Sequence, residues 1–156
     1  MEVVPGKSLH VLLVEDSEDD TLLFKHAVTA TGLKMTFTTV SDGQQAIHYL
    51  QGKPPFADRD LHPFPTMIVT DLKMPGVDGF DLLKWLRAHP HCAVIPIIVL
   101  SSSSQEEDVL KAYQLGANAY FSKPLAYKEL SDLLLANHLF WSLCKLPTPP
   151  QDSRCQ

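Results

Sequence analysis

The chain holds only three cysteines in 156 residues, Cys92, Cys144 and Cys155. Their number is odd and their spacing wide, so neither a disulfide framework nor a paired-cysteine metal motif is suggested, and reduced thiols are expected. Basic residues are also short: 13 Lys and Arg stand against 18 Asp and Glu, a net charge of −5. A nucleic-acid-binding surface needs positive charge to neutralise phosphates, so no nucleic-acid partner is expected. No apolar run approaches the roughly 18 residues that span a bilayer, so no membrane association is expected. The first eight residues lack the basic and apolar regions of a signal peptide, and a cytoplasmic location is expected. No internal repeat is visible. His89, His91 and Cys92 cluster in "HPHC" without completing a zinc ligand set, and read as a polar loop broken by Pro90.

What is present is a hydrophobic fraction of 45%, enough for one compact domain with its own core. Short apolar runs alternate with helical patterns. "LHVLLV" (9–14), "KMTFTTV" (34–40), "TMIVTD" (66–71), "IPIIVL" (95–100) and "ANAYFS" (117–122) read as strands. Ser17 is placed to cap a first helix with acids in its first turn, and Gly32 to end it. A second helix carries Ala46, Ile47 and Leu50 on one side, and a third Phe80, Leu82, Leu83 and Leu86. Ser104 and Glu107 have capping-box spacing at the start of a fourth. The fifth is read over 126–146. "KPPFADRDLHPFP" (53–65) is longer than the roughly two to six residues usual between a helix and a strand, and the sequence assigns it no role. The expected organisation is an extension over 1–8, one domain over 9–146 with no room for a second, and a disordered Pro-rich tail over 147–156. Five strand–helix units with continuous apolar strands imply an α/β fold, a parallel sheet covered on both faces. Ligands of such sheets bind beyond the carboxyl ends of the strands.

The residues at those ends form one chemical set. Strand one ends in Glu15 and Asp16, strand three in Asp71, strand four in Ser101 and Ser102, and strand five in Ser122 and Lys123, followed by Pro124. Three carboxylates brought together repel one another unless a cation intervenes. An all-oxygen set suits Mg²⁺, with Mn²⁺ as the alternative. A lysine and a hydroxyl beside them can hold a phosphoryl group, and one carboxylate can be the nucleophile that accepts it.

The motifs "VLLVEDSEDD", "VTDLKMPGVDG", "PIIVLSSS" and "GANAYFSKP" resemble, in order and spacing, the receiver domain of bacterial two-component response regulators, over roughly residues 9–143. The resemblance implies a flavodoxin-like, doubly wound sheet of order 2-1-3-4-5. It implies that Asp71 accepts a phosphoryl group from a sensor histidine kinase in a Mg²⁺-dependent reaction, with slow self-dephosphorylation and no other enzymatic activity. Asp16 would ligate the metal with Asp71 and the main-chain carbonyl of Lys73, and Glu15 would reach it through water. Ser101 would be the switch hydroxyl with Ser102 beside it, Lys123 the phosphate-binding lysine, and Tyr120 the switch aromatic. The long loop 53–65, the "EDSEDD" cluster and "FW" in the last helix resemble the small regulators that partner bacterial phytochromes, so a phytochrome-type kinase is among the candidate partners. The downstream protein partner is not legible. Two other classes compete. An interaction module that has abandoned phosphorylation would lack one of the key residues, and none is missing. A metal-dependent phosphatase with an aspartyl nucleophile needs a second acid two residues on, where this chain has Lys73.

The last helix carries one stripe, Leu130, Leu133, Leu134, Trp141 and Cys144, suited to cover the sheet. A second, Leu135, Leu139, Leu143 and Leu146, exceeds what one core-facing helix needs, and a homodimer through this face is expected.

Overall fold

The computed structural model describes residues 9–123, 126–150 and 154–155. The expected extension 1–8, Pro124 and parts of the tail lie outside the described residues. Five strands, β1 (Leu9–Val14), β2 (Met35–Val40), β3 (Met67–Thr70), β4 (Ile97–Ser101) and β5 (Ala119–Ser122), form one parallel sheet of order β2-β1-β3-β4-β5. Five helices alternate with them: α1 (Glu18–Thr31), α2 (Gly43–Gln51), α3 (Gly79–Ala88), α4 (Glu106–Gln114) and α5 (Tyr127–Leu143). This is the doubly wound, flavodoxin-like fold expected. Strands β1, β3 and β4 are buried throughout, because helices cover both of their faces. One core layer joins the sheet to α1 and α5 through Phe24, Ala27, Leu130 and Leu134. The other joins it to α2, α3 and α4 through Ala46, Leu50, Leu82 and Ala112.

Local chemistry sets the ends of the helices. The Ser17 side chain accepts from the Asp20 N–H at the start of α1, and Gly32, at φ +66°, closes it in the left-handed region that glycine tolerates. Asp78 and Asp81 form a reciprocal capping box on α3. The expected Ser104–Glu107 box is absent. Helix α4 begins one residue later, with Gln105 as its N-cap and no side-chain cap; the Ser103 Oγ accepts from the Gln105 N–H and donates to Asp108 Oδ2 at 2.6 Å, which ties the loop to the first turn. Helix α5 stops at Leu143, short of the expected 146.

The long segment before β3 is packed. The Tyr49 hydroxyl donates to the Pro63 carbonyl at 2.6 Å, and the Arg59 guanidinium donates to the carbonyls of Leu50 and His62 while lying over the Tyr49 and Phe64 rings. Beneath it, buried His10 bonds Thr36 and Thr38 of β2 at 2.7 and 3.0 Å. Of the tail, residues 146–150 line a cavity of about 270 Å³ with Leu9, Thr66 and Pro96, at the amino-terminal edge of the sheet. Cys155 is buried, and its N–H donates to the Leu50 carbonyl at 2.8 Å. Cysteine spacing suggested no disulfide, but Cys155 is paired with Cys92, their Cα atoms 5.8 Å apart. Their separation of 63 positions hides the pairing from sequence, because only the fold brings Cys155 to Cys92. Cys144 is free. No helix among the described residues is long and apolar enough to cross a membrane.

Candidate functional site

Asp71 follows β3 at the carboxyl edge of the sheet, and its N–H donates to the Val14 carbonyl at 3.0 Å, which ties it to the end of β1. Glu15 is tied to β2 by its N–H donating to the Val40 carbonyl at 2.9 Å. These backbone bonds continue the parallel ladder past the strand ends, so the carboxylates are placed by the sheet and not by a free loop. Glu15, Asp16 and Asp71 each bring a carboxylate oxygen into one cluster in which these atoms lie within 4.8 Å of one another. Glu15 and Asp71 are buried, and Asp16 is exposed.

The turn behind Asp71 needs two glycines. Gly76, at φ +72°, makes the left-handed corner of the Met-Pro-Gly turn. Gly79 opens α3 directly against the backbone of Asp71, its N–H donating to the Leu72 carbonyl at 3.0 Å, and a Cβ there would collide with the Asp71 carbonyl. One Asp71 oxygen, Oδ1, accepts from the Leu72 N–H at 2.6 Å and the Lys73 N–H at 3.4 Å. This leaves Oδ2 facing Lys123.

Lys123 follows β5, and its N–H donates to the Ser101 carbonyl at 2.7 Å. Its ammonium donates to three carboxylates: Glu15 Oε2 at 2.5 Å, Asp20 Oδ2 at 2.9 Å and Asp71 Oδ2 at 3.2 Å. Burial by itself would lower the lysine's pKa, but the hydrogen bonds it donates to Glu15 and Asp20 and the charge of Asp71 outweigh it and hold the ammonium above its ordinary range. Burial pushes the Glu15 carboxyl up; Lys123 and the Ser17 N–H pull against this, and the Asp71 charge adds to it.

Ser101 is fully buried, and its Oγ accepts from the Ser103 N–H at 3.2 Å. Ser102 is exposed and lines a cavity of about 340 Å³ with Glu15, Asp20 and Lys123. Tyr120 packs against the core layer on the α2–α4 side, and its hydroxyl donates to the Ser103 carbonyl at 2.7 Å. Ser103 therefore receives contacts from both Ser101 and Tyr120. Asp108 accepts from the Ser103 hydroxyl and pairs with Lys73 at 3.5 Å, so the loop behind Asp71 is linked to the start of α4. The Ser103 bond, with Lys73 assisting, holds the Asp108 carboxyl below its ordinary range.

On α5, Leu130 and Leu134 are buried against the sheet, with Leu133 and Trp141 partly so. Leu135, Leu139 and Leu143 are exposed, and Phe140 joins them. Leu146 does not belong to that face: it lies beyond the helix end and lines cavities with the tail. The "HPHC" residues form no metal cluster among the described residues. His89 stacks on Trp85, and Cys92 is paired with Cys155.

Asp20 was missed as a site residue. Its sequence signal was the acidic first turn right after the paired acids, which reads as a favourable helix start. Ser103 and Asp108 had no such signal, because their roles depend on the path of the β4–α4 loop.

Residues 11–135 match the family described as the response regulator receiver domain. The chain is similar to the response regulator Rcp1 of Synechocystis sp., at 30% identity over 131 residues, covering 84% of this chain and 87% of Rcp1. The structure of the Mn²⁺-bound form of Rcp1 superposes with a TM-score of 0.76. The response regulator RPA3017, in red light signalling of R. palustris, is 31% identical with a TM-score of 0.83, covering 90% of this chain and 99% of that one. The phosphorylated cyanobacterial phytochrome response regulator RcpA is 30% identical with a TM-score of 0.80, covering 91% and 100%. With the acidic cluster and lysine at the sheet edge, these matches show that the chain belongs to the response regulator receiver domain family.

Proposed function

We propose that Asp71 accepts a phosphoryl group from a phosphohistidine of a sensor histidine kinase, and that the phosphorylated domain passes the signal to a protein partner. The observation that carries the reading is the convergence of Asp71 Oδ2 with the Lys123 ammonium, 3.2 Å away, inside the cluster with Glu15 and Asp16. In the transfer, an Asp71 carboxylate oxygen bonds to phosphorus as the phosphorus–nitrogen bond of the donor breaks and the imidazole takes a proton. Lys123 neutralises charge on the phosphoryl oxygens, and Ser101 and Tyr120 report its arrival through Ser103. The donor set is all oxygen, confined and open on the Asp16 side, which fits Mg²⁺ or Mn²⁺ held by Glu15, Asp16, Asp71 and the Lys73 carbonyl. When bound, such an ion offsets the negative charge of the carboxylates and the phosphoryl group.

Similarity to regulators of red light and phytochrome signalling favours a phytochrome-type kinase as the donor. The family points to a cytoplasmic location. The exposed α5 face of Leu135, Leu139, Phe140 and Leu143 favours a homodimer through that helix. Acetyl phosphate with Mg²⁺ tests the acceptor. Intact-mass spectrometry should show one added phosphoryl group on the wild type and none on Asp71→Asn. Equal labelling of both sinks the assignment.

A further inference from the structure

Lys123 has three ammonium hydrogens, and three carboxylates occupy them. A phosphoryl group formed on Asp71 takes over that residue's contact with the ammonium, and a second phosphoryl oxygen can be bound only if Glu15 or Asp20 gives way. Resting on the phosphoacceptor reading, we propose that Asp20 is the partner exchanged: a positioning residue that holds Lys123 while the site is empty of phosphoryl and releases it when the phosphoryl group arrives.

Three observations single it out. Phosphorylation consumes the Asp71 carboxylate charge, so its contact passes to the phosphoryl group and the choice lies between Glu15 and Asp20. The Glu15 side chain is 5% exposed, and giving up the ammonium would leave this carboxylate buried without it. The Asp20 side chain is 42% exposed, so water can replace the lysine at little cost. Asp20 also stands outside the group of acids that can share a metal, so its departure takes nothing from that cluster. It sits on the first turn of α1, where its own N–H is satisfied by the Ser17 side chain. The carboxylate can therefore turn outward without uncapping the helix. The cavity of about 340 Å³ that Asp20, Lys123 and Ser102 line gives both side chains room to separate. Meanwhile the negative charge of Asp20 opposes an incoming anion and competes with it for the ammonium.

The test uses beryllofluoride, an anion that occupies the phosphoryl position, titrated at saturating MgCl₂. Asp20→Asn should bind it more tightly, by roughly three- to ten-fold, the scale of one partly screened carboxylate removed from beside the anion. Asp20→Glu should behave like the wild type. A merely structural residue would not produce the second readout. On beryllofluoride binding to the wild type, the Asp20 carboxyl carbon resonance should shift together with the Lys123 side-chain nitrogen, as their ion pair opens. Unchanged or weaker binding by Asp20→Asn, or a Lys123 signal that moves while the Asp20 signal stays, overturns the exchange and leaves the phosphoacceptor reading standing. A wild type that binds no beryllofluoride overturns that reading, and the exchange with it.

Discussion

Replacing Lys123 with alanine should cost more than phosphate binding. The ammonium lies between three carboxylates, and the lysine side chain is 12% exposed. Removing one member of a buried ion pair typically costs about 3–5 kcal/mol, because the other charge stays buried without compensation. Here Asp20 is partly in water, and its pair with the lysine contributes little. The loss therefore comes mostly from Glu15 and Asp71, and about 2–4 kcal/mol is expected. A domain of this size has a stability of roughly 5–15 kcal/mol, so the variant should remain folded at room temperature. Urea denaturation in EDTA measures the loss, with circular dichroism for the fold. Adding MgCl₂ should narrow the gap between variant and wild type, since the ion restores positive charge among the same carboxylates. The cost should also shrink in a Glu15→Gln background, where one of the two buried carboxylates is already neutral. A loss below about 0.5 kcal/mol in EDTA, the range of ordinary surface substitutions, would refute the argument that Lys123 holds the empty site together.

Three further outcomes follow from other parts of the molecule. Burial lowers the pKa of His10 below its ordinary 6.5, so the unfolded chain binds this proton more readily than the folded one. Its contribution to stability is therefore present above about pH 6.5 and lost as pH falls through the lowered folded value; denaturation midpoints of wild type and His10→Gln should converge on acidification, and parallel pH profiles would contradict this. Leu139→Glu should convert a dimer to a folded monomer in light scattering, because burying each exposed leucine contributes up to roughly 1.5–3 kcal/mol to association; a mutant that stays dimeric places the interface elsewhere. Cys155→Ser should lower stability by about 4 kcal/mol under oxidising conditions, the loop-closure value for a separation of 63 residues, and by far less with reductant present; equal losses in both would mean that the pair does not form.

The fold was legible because the chain obeys two simple periodicities. Buried parallel strands such as "IIVL" are continuously apolar, and α2 and α3 show one clean apolar side each, so strand count and layer order could be read directly. The metal-side acids and Lys123 were legible for a related reason: in a parallel sheet, every residue just after a strand reaches the same edge, whatever its distance in sequence. Contacts between loops could not be read that way. Ser104 does not cap α4, and the turn after β4 instead aims the Ser103 hydroxyl at Asp108. Leu146 left the α5 face because the helix ends at Leu143 and the proline-rich segment turns under the sheet. Asp20 reads equally well as a helix-start acid, and only the position of Lys123 distinguishes the two roles.

The central claim is that Asp71, among four clustered acids, carries the phosphoryl group. An acyl phosphate is reduced by borohydride to an alcohol, converting the modified aspartate into homoserine. Phosphorylating the chain with acetyl phosphate and Mg²⁺, reducing it and sequencing the peptides by mass spectrometry therefore reads the acceptor directly. Homoserine at position 71, and its absence when EDTA replaces Mg²⁺, is the result predicted. Reduction at Glu15, Asp16 or Asp20 instead, or none at any of them, would contradict it.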